Sequence, residues 1–119
     1  MKTLKTLITL IASCFLLTSC HNETGTLKVE NKVHNTKLEN ISFGDVSVYS
    51  TLLPGETSTE VIIKDKKESF PKINQLEFYM ESNGNKVYLK TKNKYKLEAG
   101  ENLLITISDT TEVINPALE

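Results

Sequence analysis

Leu76-Glu77-Phe78-Tyr79-Met80-Glu81-Ser82-Asn83-Gly84-Asn85-Lys86-Val87-Tyr88-Leu89 is the stretch that decides the fold class. Leu76, Phe78 and Met80 alternate with Glu77, Tyr79 and Glu81. A period of two places one set against a core and the other toward water, as in a half-buried strand. Asn83-Gly84 interrupts the pattern before Val87-Tyr88-Leu89. Asn-Gly suits the two-residue loop of a β-hairpin, whose geometry needs positive φ at its centre. Tyr79 and Tyr88 lie on the parity opposite Phe78, Met80 and Leu89, so they are expected to pair across strands on the outward face. Such a pair is either ordinary cross-strand packing or a platform for a sugar or peptide.

The same period runs through the rest of the body. Leu27, Val29 and Val33 alternate with Lys28, Glu30 and Lys32, and Asn31 interrupts their apolar face. Ile41 and Phe43 share one parity and Val46 and Val48 the other, with Gly44-Asp45 between them as a bulge or tight turn that resets the phase. Leu53-Pro54-Gly55-Glu56 reads as a turn, Val61-Ile62-Ile63 as a strand, and Pro71 as loop punctuation. Tyr95 and Leu97 form a short strand, Ala99-Gly100-Glu101 a turn, and Leu103, Ile105 and Ile107 a last long strand. Helical spacing is sustained nowhere in the body. About seven or eight strands bounded by turn signals predict an all-β fold, an antiparallel β-sandwich.

A chain of 119 residues holds one domain at most. Hydrophobic residues make up 39% and charged residues 24%, too apolar for a disordered tail. The 14 basic residues are all lysine, and 15 acids set the net charge at -1. That balance gives no electrostatic case for nucleic acid.

The N-terminus reads as an address. Lys2 and Lys5 precede an apolar run over residues 6–17. At about 1.5 Å per residue such a run covers roughly 18 Å of helix, short of a bilayer's roughly 30 Å core. It is therefore expected to be the apolar region of an export signal. Leu17-Thr18-Ser19-Cys20 follows, and it resembles the lipobox of bacterial lipoproteins: an apolar residue and two small ones before a cysteine. Ile11-Ala12-Ser13-Cys14 fits the same pattern, but cleavage there would leave a thin apolar region and an apolar Cys14-Phe15-Leu16-Leu17 start. Cys20 is thus the expected lipidation site. The resemblance implies residues 1–19 as signal peptide and a lipidated Cys20; the polar stretch after it and the alternating body then give 20–25 as the expected lipidated tether, 26–115 as the sandwich and 116–119 as tail. It also implies a membrane partner through acylated Cys20, because two or three acyl chains hold a protein nearly permanently. Neither His21 nor the lone Glu23 is a strong sorting signal in such proteins, so the expected location is the outer membrane, on its periplasmic face or the cell surface. Cys14 leaves with the signal and Cys20 is modified, so no thiol is expected to remain for a disulfide, metal or nucleophile.

A second resemblance lies in the body. Leu27-x-Val29-x-Asn31, Ile41-x-Phe43, Leu53-Pro54-Gly55-Glu56-Thr57-Ser58 and Tyr95-x-Leu97-x-x-Gly100 together resemble bacterial immunoglobulin-like domains of cell-envelope proteins. The chain departs from antibody-type domains in lacking the core Trp and the Cys pair. The resemblance implies an immunoglobulin-like sandwich that binds or spaces, and it transfers no catalytic residue.

Chemistry-bearing constellations are sparse. His21 and His34 are too far apart for a helical ligand pair, so no zinc site is expected. Asp45, Asp109, Glu112 and Glu119 do not form the alternating acidic loop of a calcium site. No serine has a base and orienting acid at motif spacing, and no glycine-rich loop cradles phosphate. Lys86, Lys90, Lys92, Lys94 and Lys96 crowd one stretch, with the last four on one face if extended. They read as a solvated face guarding an edge, or as a weak anionic-surface contact. Tyr49, Tyr79, Tyr88 and Tyr95 are the remaining candidates, with Tyr79 and Tyr88 the expected ligand platform. The expectation is a non-enzymatic envelope binding or accessory module without cofactor, contacting an envelope protein; a glycan- or ligand-binding sandwich is the alternative.

Overall fold

β1 (Glu23–Lys32) runs through the middle of a three-stranded sheet, between β4 (Val61–Asp65) and β9 (Asn102–Ser108). The structure is a computed structural model describing residues 23–65 and 70–118. Cys20 and the signal stretch lie outside the described residues. A second sheet has five strands in the order β10 (Val113–Ile114), β7 (Asn85–Thr91), β6 (Leu76–Ser82), β2 (Lys37–Phe43) and β3 (Val46–Leu52). A small third sheet pairs β5 (Lys72–Asn74) with β8 (Tyr95–Leu97). The fold is all-β, as the period-two pattern predicts.

The inward parity of each strand builds one core. Leu27, Val29, Ile105 and Ile107 from the smaller sheet join Leu38, Phe43, Leu76 and Phe78 from the larger one in a single buried cluster. Removing such a side chain from water contributes roughly 1.5–3 kcal/mol each. With no disulfide among the described residues, this burial is the main source of stability there.

One ladder departs from the antiparallel expectation. β1 pairs antiparallel with β4 but parallel with β9, from Thr26 opposite Asn102 to Lys32 opposite Ser108. Every other ladder among the described residues is antiparallel. Parallel neighbours need a long crossover. Here nearly the whole five-stranded sheet is built between β1 and β9, so local alternation carries no trace of it. The short strands β5 and β10 also exceed the expected set, since two or three residues are too few to display a period.

The turns follow their residues. Asn83 and Gly84 have φ of 53° and 80° and close the β6–β7 hairpin, with Ser82 opposite Asn85. Gly55, at φ 88°, lets the Glu56 N–H reach back to the Leu53 carbonyl at 3.0 Å, with Pro54 presetting the preceding φ. Gly44-Asp45 is a tight turn joining β2 to β3, while the irregularity in that pairing falls at Ile41/Ser42.

Residues 23–25, inside the stretch expected as tether, belong to β1. The Thr24 carbonyl accepts the Gly100 N–H at 2.6 Å, and Gly25 lies against Leu97 of β8. A Cβ on Gly25 would sit 2.9 Å from Leu97 Cγ, so glycine here permits close packing rather than flexibility. At the other end Pro116–Leu118 forms one 3₁₀ turn.

Asn31, the polar interruption in β1, faces inward and is fully buried. Its Nδ2 donates to the carbonyls of Thr36 (2.8 Å) and Leu52 (3.1 Å), and its Oδ1 accepts the Val33 N–H at 2.9 Å. Its main chain exchanges bonds with Gly55 and Glu56 of the Pro-Gly turn. Ser58 continues the seam, bonding Val29 through both its N–H and its Oγ. Asn31 thus satisfies loop carbonyls and amides that would otherwise be buried without partners.

Candidate functional site

The outward face of the five-stranded sheet carries the most organised set of polar and aromatic side chains among the described residues. β6 contributes Glu77, Tyr79 and Glu81, and β7 contributes Lys90, Tyr88 and Lys86 opposite them in register. β2 adds Glu39 beside Tyr79 and Lys37 beside Glu81. The Tyr79 and Tyr88 rings meet at 5.2 Å between centroids and 50° between planes, a tilted aromatic pair. Lys86 Nζ lies 5.1 Å from the Tyr79 centroid and 3.5 Å from Glu39 Oε2. Lys37 meets Glu81 at 3.6 Å.

The Tyr88 hydroxyl donates to Glu77 Oε1. That bond, with partial desolvation and the Glu77 charge, pushes the Tyr88 pKa up to about 12, because ionising the phenol would set two anions together. Glu39 Oε1 is buried without a hydrogen-bond partner, while its other oxygen serves Lys86. Both tyrosines are half-buried. A ligand stacking on Tyr79 would have to displace Lys86, and one bonding the Tyr88 hydroxyl would have to compete with Glu77.

The other expected residues scatter. Lys90 is the second-last residue of β7, Lys92 and Lys94 lie in the turn, and Lys96 belongs to β8 in another sheet. The four lysines expected to share one strand face therefore do not, because Thr91 ends the strand. Its buried Oγ1 accepts the Leu76 N–H at 3.0 Å and donates to the Asn93 carbonyl at 2.8 Å, tying the chain into a turn. Lys92 and Lys96 pair with Glu112 and Glu98. Asp109 Oδ1 accepts the His34 main-chain N–H at 3.0 Å, a loop clasp rather than a use of the imidazole. Asp45 sits in the β2–β3 turn. Tyr49 packs on the core from β3, and burial raises the pKa of Tyr95. Cys20, His21 and Glu119 lie outside the described residues. No three His, Cys, Asp or Glu among the described residues are placed to hold a metal ion.

Sequence reasoning placed the tyrosine pair but missed Glu39, Lys37 and Glu77 around it. Their outward parity is visible in the sequence; their adjacency requires the β2–β6 register, which crosses the β3–β5 segment. A separate cleft of about 400 Å³ opens near Phe43, Ile63, Lys64, Pro71 and Lys72. No family model, curated protein or solved structure matches this chain.

Proposed function

We propose that the chain is a lipid-anchored protein of the bacterial envelope, mature from Cys20, whose sandwich acts as a non-enzymatic binding or accessory module. Leu17-Thr18-Ser19-Cys20 after a short apolar run is the observation that carries this reading. β1 begins at Glu23, and three residues of chain reach at most about 11 Å. An acyl-modified Cys20 would therefore hold the sandwich close against the bilayer rather than on a long leash. The immunoglobulin-like likeness of the turn motifs is part of the proposal and fits a binding or spacing role. The outer membrane is its proposed location.

The test is metabolic labelling with a fatty-acid probe, followed by membrane fractionation. Wild-type chain and Cys14→Ser are expected to label and sediment with membranes, while Cys20→Ser loses the label and is released or retained as precursor. Label that survives in Cys20→Ser, or a soluble unacylated mature protein, refutes the anchor.

A further inference from the structure

Among the described residues, the open edges of the two large sheets differ in how they are guarded. β10 is two residues long, and β4 has five and carries the exposed Lys64. β3 belongs to a hairpin whose register shifts between Ile41 and Ser42, which bends that edge. β9, Asn102-Leu103-Leu104-Ile105-Thr106-Ile107-Ser108, has seven residues, no charge and no proline, and its register with β1 is unbroken. It lacks the devices that usually keep an exposed edge from pairing with another chain.

The register shows which of its groups are open. Thr26, opposite Asn102, donates its N–H to the Glu101 carbonyl at 2.9 Å. Alternation along a parallel ladder then turns the main-chain groups of Leu103, Ile105 and Ile107 toward β1, and those of Asn102, Leu104 and Thr106 away from it. These last three residues are exposed, Leu104 by 51%. The edge ends at Ser108, whose N–H is closed off by Thr111 Oγ1 at 2.9 Å.

We propose that β9 pairs antiparallel with β9 of a second copy of this chain, about a two-fold axis at Leu104. In that register Leu104 faces Leu104 of the second copy and Asn102 faces Thr106, so the outward-turned residues of each strand meet those of the other. Like charges would oppose each other in a self-paired charged strand; this strand has none. The apolar Leu104 side chains, set on β9 beside Lys28 of β1, cover one another. The two smaller sheets become one sheet of double width. The contact is small beside the roughly 1,200–2,000 Å² of a stable interface, so association is weak in dilute solution and gains from confinement on a surface. The axis is normal to the sheet and leaves both Glu23 ends at one height, compatible with two chains on one bilayer. The pairing does not rest on the lipid anchor.

Cross-linking of the full chain tests it. Residues facing each other in a hydrogen-bonded antiparallel pair have Cα atoms about 5.5 Å apart, within disulfide range. In a chain carrying Cys14→Ser and Cys20→Ser, so that no other thiol is present, Leu104→Cys under mild oxidation is expected to form a covalent dimer absent from that parent and from Ile62→Cys in the same background, which is 59% exposed on the other edge strand. Light scattering in detergent is expected to show wild-type mass doubling with concentration while Leu104→Lys stays at the monomer mass. Thr106→Pro removes an outward-turned N–H together with the exposed Thr106 hydroxyl bond to Glu30, so Thr106→Val, which loses the hydroxyl alone, is its control; adding Thr106→Pro to Leu104→Cys is expected to abolish the covalent dimer and adding Thr106→Val to preserve it. A Leu104→Cys chain that cross-links no faster than Ile62→Cys, or a wild-type mass that stays monomeric at all concentrations, overturns the pairing. Capture of a different protein's strand by a monomeric β9 overturns it equally.

Discussion

Asn31 and Tyr88 both sit within interior strands, and both tie a polar side chain to neighbours, yet they do so in opposite surroundings. Asn31 breaks the apolar pattern of β1 and lies fully buried, its amide committed to Thr36, Leu52 and Val33. Tyr88 obeys the outward pattern of β7, half-buried, its hydroxyl bonded to Glu77. The Tyr88 hydroxyl bond lies on a half-buried outer face, whereas Asn31's bonds to Leu52 and Val33 are buried. The residue that looks like an error in the pattern therefore carries more of the fold than the residues that look like a site.

Asn31→Leu is the strongest way to break this contrast. It keeps the branched shape but leaves the Leu52 carbonyl and the Val33 N–H in the core, and the half-buried Thr36 carbonyl, without their partner, with an expected loss of about 2–4 kcal/mol in urea-unfolding stability. A loss under about 1 kcal/mol would mean that the loops reach water by themselves. Thr91→Val is the intermediate case. It leaves the Leu76 N–H and the Asn93 carbonyl without their shared hydroxyl, for an expected cost of about 1–2 kcal/mol by the same measurement.

Tyr88→Phe probes the outer face and is expected to cost about 0.5–1 kcal/mol near neutral pH, the net worth of one partly solvated hydrogen bond. Its signature lies in alkaline absorbance titration, where wild type is expected to show one phenol ionising near pH 12. Tyr88→Phe removes that step, and Glu77→Gln moves it toward the ordinary value of 10. The neutral phenol is the form the fold favours. Its contribution is therefore complete below about pH 10 and is lost as pH rises from there through about 12. The smallest effect is expected from Lys86→Ala. The Lys86–Glu39 pair joins an exposed ammonium to a largely covered carboxylate, and added salt should shrink the difference from wild type. A salt-independent loss would show that covering Tyr79, rather than charge, is what Lys86 does.

Much of the fold was legible where structure is local. The β6–β7 hairpin needs only alternation and an Asn-Gly loop, and the tyrosine pairing follows from both. The Pro54-Gly55 turn is likewise written in two adjacent residues. The lysine run misled because parity was extended through Thr91, where a hydroxyl captures the main chain and ends the strand. Gly25 falls in the expected tether because the chain turns polar after Cys20; only Leu97, far along the chain, shows it to be a packing contact.

The amino-acid order alone determined the two-residue period, the tight turns and the candidate lipidation motif, because each depends on neighbours a few residues apart. Tertiary structure alone decided that β1 lies parallel to β9, that Asn31 is a buried clasp, and that Lys86 and Glu39 close over Tyr79. Those contacts join segments distant in the chain, and their register is set by how the two sheets share one core rather than by any local preference.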